Sequence, residues 1–145
     1  MIKTNTKLLY WLPVFIWLEL IFLLSSIPGA LLPPLPSDLW QFWAHRIAHF
    51  TEYSVLGVLV IRAYSYKKPG PGVLTVLFLS VFILLSGLFD EWHQSFVPGR
   101  HCQLLDALFD TICGGWGMFF FLIYRKYIRN FDGMIALKKF LKVVK

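Results

Sequence analysis

Charge is what this chain has least of. Asp, Glu, Lys and Arg make up 15% of its 145 residues, where soluble domains carry about 25%. Too few polar side chains remain to cover a water-facing surface, which excludes a soluble globular enzyme. Cysteines number only two, and Cys102 and Cys113 offer neither a disulfide framework nor a metal-binding spacing. Cys113 lies inside an apolar run, so no bond between the two is expected. Repeats and low-complexity tracts are absent. Disorder is excluded because aromatics reach 18% and long apolar runs recur. What abounds is hydrophobicity, at 57% of residues with a mean hydropathy of +0.63. Such a chain belongs in a bilayer. Its net charge of +6 then reads as basic loops facing anionic lipid, and no nucleic-acid partner is expected.

A spanning helix needs about 20 mostly apolar residues. Four stretches qualify: Leu8–Ile27, Ile47–Tyr66, Val73–Trp92 and Leu104–Tyr124. The first is too long for the apolar core of a signal peptide and is taken as a retained span. It contains Pro13 and Glu19 and ends before a proline-rich loop, Pro28 to Pro36. The predicted fold is all-α, a bundle of four transmembrane helices over 1–125 with a basic amphipathic tail helix over 126–145. Four spans with the N-terminus inside put twelve basic residues on the inner side and leave only Arg46 and Arg100 outside. That division obeys the positive-inside rule, and both termini are therefore expected in the cytoplasm. A three-span arrangement that drops Ile47–Tyr66 leaves the C-terminal tail on the wrong side of either the N-terminus or the Lys67-Lys68 loop.

The acidic residues sit elsewhere. Asp38 falls in the first loop and Asp132 in the tail, but Glu19, Glu52, Asp90, Glu91, Asp106 and Asp110 lie in or at the ends of spans. Ionisable groups at membrane depth are costly and point to function. At about 1.5 Å per residue, His49 and Glu52 fall within roughly 10 Å of the outer surface. Asp90, Glu91, His93, Gln94, Asp106 and Asp110 reach the same level. His45, His49 and Glu52 share one helix face beside Tyr53, while Asp90, His93 and Gln94 share another. The Pro98-Gly99 turn is expected to fold Arg100 back over the carboxylates. A buried ion-pair network that only ties the helices together remains an alternative.

Three of these segments resemble the VanZ-like family of small bacterial membrane proteins. They are His49-Phe50-x-Glu52-Tyr53-x-x-Leu56-Gly57, then Asp90-Glu91-x-His93-Gln94-x-Phe96-x-Pro98-Gly99-Arg100, then Asp106-x-x-x-Asp110-Thr111-x-x-Gly114. The resemblance covers the chain from the first span to Tyr124. It departs from the family pattern at His45-Arg46, where a Lys often precedes the His-Phe motif, and at Asp110, where Asn is common. The resemblance implies residence in the bacterial cytoplasmic membrane and a link to low-level resistance against teicoplanin-type glycopeptides.

Three functions stay open. An enzyme would act at the outer face on a lipid-linked or cell-wall substrate. Catalysis would fall to His49, Glu52, Asp90, Glu91 and His93, and ligand binding to Tyr53, Gln94, Arg100, Asp106 and Asp110. His49, His93, Glu52 and Asp90 could also hold a divalent metal, although no tight ligand motif such as H-E-x-x-H is present. A binding or exclusion module would use the same residues to recognise an envelope component or the glycopeptide. A transporter ranks third, because the inner halves of the spans are apolar.

Overall fold

The structure, a computed structural model, describes residues 6–66, 70–100 and 102–143, with side chains described from 8 to 128 inside those ranges. Every regular element among them is helical. Helix α1 spans Thr6–Ser25, α2 spans Asp38–Tyr64, α3 spans Val73–Gln94 and α4 spans Leu104–Val143, with a single 3-10 turn at Gly29–Leu31. Three of the helices are long and apolar enough to cross a membrane, through Leu8–Ser25, Val73–Gln94 and Leu104–Ile128.

Two boundaries differ from the sequence expectation. Helix α2 starts at Asp38 and not at Ile47, because Ser37 leads into a first turn where the Asp38 carboxylate meets the positive end of the helix dipole. Asp38 is thus a helix-start residue, not a loop residue. The added turns carry Leu39, Trp40, Phe42 and Trp43, all exposed. At the other end of the chain no break separates a span from a tail, and α4 continues to Val143. The amphipathic pattern expected over 126–145 lies mostly outside the described side chains, as does the Lys67-Lys68 loop.

Helix α4 is the axis of the packing. It contacts α2 most extensively and α3 next, while α1 lies against α2 and α3. Helices α2 and α4 run parallel, since His45 pairs with Asp106 and His49 with Asp110 at a constant sequence offset of 61. They approach closely: a Cβ at Gly57 would collide with the Gly114 carbonyl, and one at Gly117 with the Ser54 carbonyl. The Ser54 hydroxyl donates to the Cys113 carbonyl at 3.1 Å across the same seam. Small residues that admit a neighbouring backbone are the usual means of helix association in lipid.

Burial is inverted relative to a soluble protein. Asp110 is 0% exposed and Glu91 1%, whereas Leu74 is 82% exposed and Leu105 74%. Below the acidic residues the interior is apolar, built from Val14, Tyr53, Leu56, Val60, Ile61, Leu79, Ile83 and Met118. Apolar side chains turned outward around polar ones suit lipid as the surrounding solvent. The protein is membrane-embedded.

Candidate functional site

Helical periodicity builds the site from two matched pairs. On α2, His45 and His49 are four residues apart; on α4, so are Asp106 and Asp110. Both pairs therefore project from one face of their helix. The parallel register sets them opposite each other as two rungs. His45 Nε2 lies 2.9 Å from Asp106 Oδ2, and His49 Nδ1 lies 2.9 Å from Asp110 Oδ1. A third contact reinforces the first rung, where Arg46 Nη1 donates to Asp106 Oδ1 at 2.6 Å. The guanidinium is held between the rings of Phe42 and Phe109, at 5.3 and 5.2 Å from their centroids. Cation–ring contacts of this kind strengthen when water is excluded.

Asp106 and Asp110 are fully buried, so losing either partner would leave an uncompensated charge in an apolar core. Asp110 uses only one of its oxygens. Its Oδ2 is buried with no hydrogen-bond partner among the described residues, and so is the Tyr53 hydroxyl. The His45 and His49 rings lie 4.3 Å apart, which brings the imidazoles and Asp106 into one cluster. One donor atom from each of His45, His49 and Asp106 falls within 4.8 Å of the others, so among the described residues these three could hold a metal ion.

The residues of α3 take different places. Asp90 is buried and accepts from Gln94 Nε2 at 2.7 Å. Glu91 is buried and accepts the Gln103 backbone N–H at 2.6 Å, which fastens the start of α4 to the end of α3. His93 turns away from the cluster. Its Nε2 lies 2.9 Å from the Ser26 hydroxyl and its ring packs 4.2 Å from Phe22, so it serves the α1 contact. The sequence-derived metal set of His49, His93, Glu52 and Asp90 is accordingly not assembled. Arg100 also departs from expectation: its Nε and Nη2 donate to the carbonyls of Ile27 and Leu24, not to a carboxylate. A helix C-terminus offers unsatisfied carbonyls with partial negative charge, which competes well for a guanidinium.

Beside this cluster lies a cavity of about 730 Å³. One wall is apolar, formed by Leu24, Ile27, Leu32, Pro33, Pro34 and Leu35 from the end of α1 and the loop after it. The polar lining comes from His45, His49 and Glu52 on α2, from Gln94 and from Arg100. Glu52 is half-buried and its carboxylate bonds no described residue, although His49, Asp90, Asp110 and Arg100 lie within electrostatic reach. Its backbone carbonyl is taken by the Trp17 indole N–H at 2.8 Å, which fixes α1 against α2 at the cavity floor. A free carboxylate next to imidazoles can take up or release protons.

Of the ten residues singled out from the sequence, His49, Asp106 and Asp110 form the core of the cluster. Glu52, Gln94 and Arg100 line the cavity, Tyr53, Asp90 and Glu91 are buried, and His93 packs against α1. His45, Arg46 and the α1 carbonyls complete the arrangement and were not among the ten. The four-residue spacing of His45 and His49 was the available signal for the first of them.

The family model VanZ/LLP1 covers residues 8–125. No curated protein and no solved structure matches the chain.

Proposed function

The chain belongs to the VanZ/LLP1 family, and from that premise we propose that it binds an amphiphilic, lipid-linked component of the cell envelope at the outer leaflet. The observation carrying this reading is the mixed apolar and polar lining of the cavity. Its apolar wall from Leu24 to Leu35 suits an acyl or isoprenoid chain, while His45, His49, Glu52, Gln94 and Arg100 suit a polar or anionic headgroup. Cell-wall precursors have this chemistry, and retaining one of them is a route to the teicoplanin-type glycopeptide resistance that the family name implies. Recognition by a non-catalytic module and acid–base turnover both use this site. Glu52 is the group best placed for turnover, with His49 beside it.

An orientation goes with the reading. The Gly29 N–H donates to the Pro98 carbonyl at 2.9 Å, so the loop after α1 and the loop after α3 lie at one end of the bundle. The chain between them must then cross the bilayer an even number of times. Helix α3 is long and apolar enough to cross, and α2, about 40 Å long at 1.5 Å per residue, supplies the second crossing. This supports four spans. With Arg62 and Arg125 at the opposite end, the basic side faces the cytoplasm of a bacterial cell and the cavity faces out. The dry core around Val60, Ile61, Ile83 and Met118 argues against a continuous transport path.

Ala48 lines the cavity between His45 and Glu52 and is exposed, so Ala48→Trp fills the space without entering the helix seam. The variant is expected to melt in detergent like the parent and to lose the parent's effect on teicoplanin susceptibility. A variant that keeps that effect in full overturns the assignment.

A further inference from the structure

We propose that His45, His49 and Asp106 bind a divalent transition-metal ion of the zinc type, with Asp110 orienting His49 as a ligand. The donor set is two imidazole nitrogens and one carboxylate oxygen, mutually within 4.8 Å. Zinc at about 2.0–2.2 Å from such donors is tetrahedral and places them a little over 3 Å apart, so small side-chain rotations close the site. Magnesium and calcium prefer all-oxygen surroundings and fit this set poorly.

Three further observations point to a cation. The first is the Asp110–His49 pair. A metal-bound histidine usually gives its other ring nitrogen to a carboxylate, which fixes the ring and raises its basicity. Here His49 Nδ1 is already engaged by Asp110 Oδ1 at 2.9 Å, which leaves Nε2 as the ligating atom. The second is Asp110 Oδ2, a buried carboxylate oxygen with no hydrogen-bond partner among the described residues, on the side chain that holds His49. The third is charge. Glu52, Asp90, Glu91, Asp106 and Asp110 share the region with only Arg46 and Arg100 as permanent cations, and Arg100 spends two of its donors on neutral carbonyls. A lipid-surrounded core does not tolerate such an excess of negative charge without protons or an added cation.

Arg46 does not block the site. It occupies Asp106 Oδ1, and the rings of Phe42 and Phe109 hold its guanidinium. Asp106 Oδ2 now faces His45 Nε2, and the ion would replace the hydrogen bond between these two atoms. His45 and His49 also line the cavity, so the fourth position of a tetrahedral ion opens toward that space and is left for water or a ligand.

The test uses zinc alone and is therefore independent of any envelope ligand. The full chain, carrying a purification tag without histidines, is treated with chelator in detergent and titrated with Zn²⁺. One equivalent should bind at micromolar or lower concentration and raise the melting temperature. Co²⁺ in its place should give the visible absorption bands of a four- or five-coordinate site. His45→Gln, at a partly exposed position, should weaken Zn²⁺ binding at least tenfold. Asp110→Asn should weaken it 10- to 100-fold without removing a ligand. The proposal fails if the parent binds no stoichiometric zinc, or if both variants bind it as the parent does. Should His45→Gln lose its helical circular dichroism, the cobalt spectrum of the parent decides alone, since octahedral or absent bands overturn the site.

Discussion

The Arg100 guanidinium bonds the Ile27 carbonyl at 3.1 Å across 73 positions of sequence. It also reaches the Leu24 carbonyl at 3.3 Å, so a cation placed after α3 caps the C-terminus of α1. Next to it the Gly29 N–H meets the Pro98 carbonyl, and Gly99, at φ 76°, lies with its backbone against Gly29. The positive φ is one that glycine adopts freely and other residues rarely do. Two loops are thereby stitched together where Gly29, Gly99 and Arg100 line the cavity. Arg100 shapes the cavity even though its Nε and Nη2 do not point into a carboxylate.

Replacing Arg100 by lysine keeps the charge and removes the fork. A single ammonium cannot span the Leu24 and Ile27 carbonyls with the geometry of Nε and Nη2. Each charged hydrogen bond lost from such a site costs about 1.5 kcal/mol. Arg100→Lys should lower the detergent melting temperature by roughly 3–6 °C. An unchanged melting temperature would show that the α1 cap contributes nothing measurable.

The seam between α2 and α4 makes a sharper prediction, because neighbouring glycines on α4 have different surroundings. A Cβ at Gly57 runs into the Gly114 backbone and one at Gly117 into Ser54, whereas one at Gly115 meets nothing within 4 Å. Backbone cannot move aside as a side chain can. Gly57→Ala and Gly117→Ala should each destabilise by about 2–3 kcal/mol, with loss of the His45–Asp106 and His49–Asp110 rungs as the helices separate. Gly115→Ala should be neutral or stabilising by about 0.5–1 kcal/mol, the usual gain of alanine over glycine in a helix. Thermal melting of the three variants in one detergent checks the order.

Much of this arrangement was legible in the sequence, and for identifiable reasons. Apolar run length located the cores of all four helices. The i, i+4 periodicity put His45 with His49 and Asp106 with Asp110, so each half of the ladder was visible on its own helix. The pairing between them was not, because the parallel register of α2 and α4 is set by Gly57, Gly114 and Gly117 meeting backbone. No local pattern encodes which helix a glycine will touch. His93 misled for a related reason: it shares a helical face with Asp90 and Gln94, but the width of that face lets it turn to Ser26 on α1. Arg100 was expected among carboxylates because sequence displays side-chain charge and hides the free carbonyls at a helix end.

Cys102 provides a test of the membrane arrangement that uses a native residue. It is exposed and lies between α3 and α4, while Cys113 is 1% exposed and out of reach. Helix α2 falls short of a membrane-spanning composition because His45, Arg46, His49, Thr51 and Glu52 dilute its apolar residues. If α2 lay outside the bilayer, α3 would carry the chain from the outer to the inner side and Cys102 would face the cytoplasm. The Gly29–Pro98 contact opposes that, since it joins the loop after α1 to the loop before Cys102. A membrane-impermeant maleimide applied to intact cells or right-side-out vesicles should therefore modify the parent chain. Cys102→Ser should abolish the reaction. In that background Gly72→Cys, placed where a side chain meets open space at the start of α3, should react only after the membrane is permeabilised. Modification of Gly72→Cys from outside, or protection of Cys102 until lysis, would remove α2 from the bilayer and turn the cavity away from the outer leaflet.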